Sequence, residues 1–357
     1  FPIKAKRYGY STLFRGNLMI GIKVPLRMSF VGGGSDIASF YSEHGWAVVS
    51  SSINKYIYIN INPKFDHKIR FSYSKTEIID SINEMQHDLA KAIIIYAYDF
   101  LNEHSTHTSY KPEWFEIISI ADIPSEWSGL GSSSAFTVAL LQALYAYNNK
   151  FVSAETLAEQ ACEIEIKILG KPIGKQDQYA SAHGGFNFIE FFPDGTVSVQ
   201  PIIFSKETKR KLESKLLMFY TGITRKADTI LGEQTKNIGD QKDKIEGMKK
   251  MVKIAYELKK ELEENNEQRF GELLHENRLL KKEMAWGISN PQIDQWYDSA
   301  IQAGATGGKL LGAGGWGFFI FYAPEDKHEK IKSALSDLRY IPFSFENGGS
   351  QVIFYQD

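Results

Sequence analysis

Four serines and two glycines crowd one turn of this chain, Ser128-Gly129-Leu130-Gly131-Ser132-Ser133-Ser134-Ala135, with Ile123-Pro124 just before it. The apolar spacing that follows predicts a helix from about Ser132 to Tyr147, so the turn is where loop becomes helix. A helix start offers unpaired backbone N–H groups and the positive end of the dipole, which together favour an anion. Glycines let a phosphate come close to the backbone, and serine hydroxyls can cap the helix or face a metal. A plain N-cap after a flexible turn is the simpler alternative. A P-loop is excluded, because no Gly-Lys pair in the chain is followed by Ser or Thr.

Two further glycine clusters compete. Gly312-Ala313-Gly314-Gly315-Trp316-Gly317 has the spacing of a dinucleotide fingerprint. That motif must open a helix, whereas Phe318 to Tyr322 reads as a strand, so what remains is a glycine loop able to close on something. Gly32-Gly33-Gly34-Ser35-Asp36 follows the strand-like Arg27 to Val31. Backbone N–H groups and a carboxylate there suit a polyhydroxyl ligand, and a tight turn explains the glycines almost as well. The last constellation is Glu163 and Glu165, then Gly170 to Gln178 (GKPIGKQDQ). A glutamate can hold Mg²⁺ through one oxygen while water and phosphates fill the other positions, and Asp177 could accept a hydroxyl proton. Alone, Glu-x-Glu is more often a solvated helix face.

The elements that must position these groups alternate along the chain. Ile20 to Val24, Ala47 to Val49, Tyr56 to Ile61, Phe115 to Ile120, Lys215 to Tyr220, Phe318 to Tyr322 and Gln351 to Tyr355 read as strands. Helical spacing covers His87 to Asn102, Ser132 to Tyr147, Ser153 to Leu169 and Asn290 to Ala303. Between Ala227 and Met284, dense Lys and Glu with embedded apolar positions predict solvated amphipathic helices. The architecture expected is α+β in two lobes, 19–205 and 206–357. Residues 1–18 are basic and aromatic without the apolar stretch of a signal peptide, and are read as an extension outside the fold; a native N-terminal arm is the alternative.

Composition narrows the function. The 357 residues carry 41 Lys+Arg against 43 Asp+Glu, so nothing suggests a nucleic-acid or membrane-surface partner. Hydrophobic residues make up 43 %, the proportion of an ordinary globular protein, and no apolar run has the length of a membrane span. The one cysteine, Cys162, cannot pair within the chain, which fits a reducing cytoplasm.

In the order RMSFVGGGSD, GLGSSSA, GKQDQ and LGAGGWG, the four motifs together resemble the GHMP small-molecule kinase superfamily, from Met19 to nearly the end of the chain. The longer strings PLRMSFVGGGSD, GKQDQYASAHGGFNFIEF, GISNPQID and GGKLLGAGG look most like its sugar-1-kinase branch of heptose 7-phosphate kinases, with fucokinase-type enzymes as near relatives. The resemblance implies an N-terminal lobe like ribosomal protein S5 domain 2, a ferredoxin-like C-terminal lobe and a site between them. It implies ATP and Mg²⁺, and phosphorylation of the anomeric hydroxyl of a sugar phosphate.

Residue by residue, Gly129, Leu130, Gly131, Ser132, Ser133 and Ser134 match the loop that holds the ATP phosphates. Ser133 and Glu165 match the metal-holding pair, Asp177 the catalytic aspartate, and Arg27 the arginine near the transferred phosphoryl group. Gly33, Gly34, Ser35 and Asp36 match the sugar loop, and Gly312, Ala313 and Gly314 the motif that closes the site. Gly33 and Gly34 replace the Glu-His of galactokinases, which argues against galactose. Lys175 and Arg225 are the cations expected to meet a substrate phosphate. An unphosphorylated sugar, an isoprenoid acid, or a catalytically silent sensor of sugar and ATP are the alternatives. A homodimer is compatible with the sequence but not argued from it.

Overall fold

The computed structural model describes residues 18–33, 42–105, 109–111, 114–123, 129–222, 242–284, 291–312 and 317–356. Its first lobe rests on two long antiparallel strands, β1 (Met19–Val31) and β2 (Trp46–Pro63). Each unites sequence segments that read as separate strands. The interruption in β1 is Pro25, which has no N–H to donate, and the register shifts between Pro25 and Leu26 as a bulge absorbs it. β3 (Ile69–Ser72) and β4 (Thr76–Ile79) form a hairpin, followed by helix α1 (Asp88–Glu103) and strand β5 (Phe115–Ala121). The first half of β2 pairs with β6 (Phe186–Phe191), itself paired with β7 (Val197–Pro201), and its second half pairs with β5.

Helix α2 (Ser132–Tyr147) packs against β1 and β2 and is buried on nearly every side, which is why, after its opening serines, its sequence is mostly Ala, Leu and aromatics. Each large apolar side chain sealed there contributes about 1.5–3 kcal/mol relative to exposure. Helix α3 (Ala154–Cys162) starts at Ser153, whose side chain accepts the Thr156 N–H at 3.2 Å. It does not continue regularly to Leu169. Residues Glu163–Ile168 form a π-helix, and α4 (Gln176–His183) follows after a loop.

The second lobe begins with α5 (Lys206–Ser214) and β8 (Leu216–Tyr220). Three helices follow, α6 (Lys242–Glu263), α7 (Phe270–Met284) and α8 (Pro291–Ala303), then β9 (Gly307–Leu310), β10 (Phe318–Tyr322), α9 (His328–Ala334) and β11 (Arg339–Tyr340). Its sheet runs β11-β8-β10-β9, antiparallel throughout. Alternation along β8 and β10 splits their side chains between two cores: Leu216, Met218, Phe318, Ile320 and Tyr322 join the core shared with the first lobe, while Leu217, Phe219, Phe319 and Phe321 join one with α8 and α9. A strand covered on both faces needs apolar residues at every position, as in Phe318-Phe319-Ile320-Phe321-Tyr322.

Two features depart from the lobes drawn on sequence. The last strand, β12 (Gln351–Gln356), pairs antiparallel with β1, and Phe345 bridges Ile53, so the chain returns to the first sheet instead of ending in the second lobe. Leu18, grouped with the extension, is buried in the core. Among the described residues no helix is long and apolar enough to cross a membrane.

Candidate active site

The turn before α2 is built to leave a helix start open. Its N-cap is Gly131, at φ +74, and no side chain caps the helix. The ordinary N-cap alternative is therefore not what the turn adopts. Ala135 N–H makes the first bond back, to Gly131 O at 2.9 Å. Ser132 and Ser134 point inward and are buried, whereas Ser133 is exposed on the open side.

Arg27, 4 % exposed in β1, reaches this turn from below. Its backbone N–H donates to Leu130 O at 3.1 Å and its Nη1 to Gly129 O at 2.7 Å. Its Nε donates to Asp177 Oδ1 at 2.7 Å, and Nη2 lies 2.5 Å from the same oxygen. The guanidinium thus binds the phosphate-type loop and the Asp177 carboxylate to one rigid fork. A β-carbon on Gly131 would lie 3.4 Å from Asp177 Oδ2, so the carboxylate and the helix start face the same space. Gln176, beside Asp177 in the first turn of α4, donates to Asp177 Oδ1 at 3.3 Å and is itself held by Ser29 Oγ at 3.1 Å.

The second charged group is Glu165, wholly buried. Ser133 Oγ donates to its Oε1 at 2.8 Å and Gln178 Nε2 to its Oε2 at 2.8 Å. Lys171 Nζ bridges the pair, 3.0 Å from Glu165 Oε1 and 3.0 Å from Ser133 Oγ. The π turn lies at this point: Leu169 N–H donates five residues back to Ile164 O at 3.0 Å, and just beyond it Lys171 N–H donates to Glu165 O at 3.0 Å. Such single wide turns recur at functional sites. Glu163, in the same π turn, instead accepts from Tyr96 OH at 2.7 Å and stays partly solvated.

A divalent cation fits the Ser133–Glu165 corner on its chemistry: a buried carboxylate and a hydroxyl are hard oxygen donors, and a protein cation already stands against both. Among the described residues no cluster of three or more His, Cys, Asp or Glu exists, so phosphate and water oxygens would have to complete the shell, which is the usual manner of Mg²⁺ with a nucleotide. Nearby, burial against Phe71, Tyr73 and Phe136 pushes the His87 imidazole below its usual range, and the Lys171 charge adds to the effect.

The third glycine motif meets the first here. A β-carbon on Gly312 would stand 2.5 Å from Gly129 Cα, so the two turns pack backbone to backbone. Gly33 closes the same region beside Ser29 and Gln176. Lys175 does not face the site as expected. It is the N-cap of α4, and its Nζ reaches back to Gly195 O at 2.7 Å in the β6–β7 turn. Gly34, Ser35, Asp36, Arg225, Ala313 and Gly314 lie outside the described residues. Lys171, Gln178 and Ser29 are site groups that sequence reasoning missed. Lys171 shares its loop with Lys175, and spacing alone does not choose between them.

Known proteins share this fold and parts of this sequence. Residues 92–185 match the family model "GHMP kinases N terminal domain" and 258–340 match "GHMP kinases C terminal". A D-glycero-alpha-D-manno-heptose 7-phosphate kinase of Campylobacter jejuni is 32 % identical over 92 % of this chain and 97 % of its own length. A mevalonate kinase of Pyrococcus horikoshii is 28 % identical over 80 % of this chain and 85 % of that one. The solved structure of a D-glycero-D-manno-heptose 1-phosphate kinase from Bacteroides thetaiotaomicron superposes with a TM-score of 0.76 at 28 % identity, covering 93 % of this chain and 98 % of its own.

Proposed function

The chain belongs to the GHMP kinase family, and on that premise we propose that it transfers the γ-phosphoryl group of ATP to the anomeric hydroxyl of a sugar phosphate, a D-glycero-D-manno-heptose 7-phosphate. The observation that carries the reading is the Arg27–Asp177 fork set against the uncapped start of α2. The likeness over nearly the full chain to a heptose 7-phosphate kinase supports the choice of sugar.

Phosphoryl transfer asks a protein mainly to position groups and balance charge. The N–H groups at the start of α2 would hold the triphosphate, and the loop under them is kept in place by Arg27 at Gly129 O. Ser133 and Glu165 would hold Mg²⁺, which when bound would neutralise charge on the phosphate oxygens. Asp177 would orient the sugar hydroxyl and take its proton as the new O–P bond forms and the bond to ADP breaks. Its Oδ1 is tied to Arg27, which leaves Oδ2, on the Gly131 side, for the hydroxyl.

A panel of sugars and sugar phosphates, scored by ATP consumption and product NMR, tests the reading. Heptose 7-phosphate should be the best acceptor, giving the 1,7-bisphosphate. Faster turnover of unphosphorylated heptose or fucose would overturn the substrate, and no sugar-dependent turnover would overturn the activity.

A further inference from the structure

Helix α7 reaches both glycine turns from one face. Asn277 Oδ1 accepts the Gly32 N–H at 3.0 Å, and Lys281 Nζ donates to Gly312 O at 2.7 Å. Residues four apart on a helix stand one above the other, so a single turn of α7 holds the end of β1, where the sugar loop begins, and the turn packed on Gly129. The two partners lie far apart in sequence and in different lobes. Both side chains are almost closed to solvent, at 0 % and 5 % exposure.

Asn277 is a costly residue for that position. Its Oδ1 is committed to Gly32, and among the described residues its buried Nδ2 has no hydrogen-bond partner. A buried donor left unpaired lowers stability, and native proteins retain few of them. Where a local rule is broken in this way, a functional constraint is the usual reason.

We propose that Asn277 and Lys281 are positioning residues: Asn277 sets the sugar loop through Gly32, and Lys281 sets the phosphate loop through Gly312 and Gly129. The assignment of the two loops rests on the kinase reading above. Asn277 acts through the Gly32 amide and Lys281 through the Gly312 carbonyl, so the two should affect different substrates.

The test pairs Asn277→Leu with Asn277→Asp, and Lys281→Met with Lys281→Arg, in the full chain. Leu removes the acceptor for Gly32 and also removes the unpaired amide, exchanging one orphan for another, so the melting temperature should stay close to wild type. The KM for the best sugar of the panel should rise about tenfold with the KM for ATP unchanged, on the scale of one lost hydrogen bond, and Asp, which keeps an acceptor, should recover most of it. Lys281→Met should raise the KM for ATP and shrink the melting shift induced by Mg·ATP, with the sugar KM unchanged and Arg restoring both. Equal changes in both KM values in either variant, or a wild-type sugar KM in Asn277→Leu, would overturn the proposal. If the wild type turns over no sugar, the kinase reading fails separately, and the Mg·ATP melting shift of Lys281→Met still decides: an undiminished shift overturns the positioning role.

Discussion

The Lys171 ammonium stands 3.0 Å from Glu165 Oε1, in the corner that the motif pattern assigns to a divalent cation. A carboxylate with no solvent exposure needs a counter-charge, and this lysine supplies it. The same charge can then stay beside the phosphates when the metal arrives, or yield its place to it.

Lys171→Met separates those roles. Among the described residues, removing the lysine leaves the Glu165 carboxylate with Ser133 and Gln178 only. The lysine is itself partly solvated, so the loss of stability should be about 1–3 kcal/mol, below the roughly 3–5 kcal/mol of a sealed pair. Thermal melting with and without Mg²⁺ and a non-hydrolysable ATP analogue measures it. Rescue of the lost stability by Mg²⁺ with the nucleotide is expected; a deficit that Mg²⁺ cannot reduce would show that ammonium and metal do not share the site.

Glu165→Gln and Glu163→Gln form a matched pair from one π turn. The first takes a charged oxygen from a hard cation and should raise the Mg²⁺ concentration needed for half-maximal rate. The second loses a charge that faces Tyr96 OH and Lys167 and should leave the Mg²⁺ titration where it was. Coincident titration curves for the two variants would remove Glu165 from the metal site.

Asp177→Asn keeps an acceptor for Arg27 and deletes the charge that receives the proton. Nucleotide affinity should survive, while kcat falls by about 10²-fold or more. Turnover within a few-fold of wild type would sink the assignment.

His87 gives the fold an acid-sensitive cap at the start of α1. Its Nδ1 accepts the Ala90 N–H at 3.1 Å, which only an unprotonated nitrogen can do. Burial holds its pKa below the usual histidine value, so the unfolded chain takes up this proton first as pH falls. The stability contributed is complete above the unfolded pKa of about 6.5 and is lost as pH drops below it. Melting temperature should therefore decline with acid more steeply in wild type than in His87→Asn, which caps without titrating. Identical slopes would clear His87 of the effect.

What was legible in the sequence was what neighbouring residues decide among themselves. Helix α2 runs from Ser132 to Tyr147 as its apolar spacing predicts, and β10 covers Phe318 to Tyr322, because periodicity and turn chemistry act over a few residues. The family was legible for a related reason, since four motifs in fixed order are visible without knowing where they meet. What tertiary structure alone decided is which long-range partner each group takes. Pro25 breaks a local pattern yet only bulges a strand, because β2 lies alongside to hold both halves. The π turn that carries Glu165 has no local sequence mark, and Lys171 rather than Lys175 faces it because Lys175 is drawn to the β6–β7 turn. Arg27 meets Asp177 across 150 residues, and Gly32 meets Asn277 across 245. Contacts of that separation follow from how the sheets and helices pack, and the spacing of residues along the chain carries no record of them.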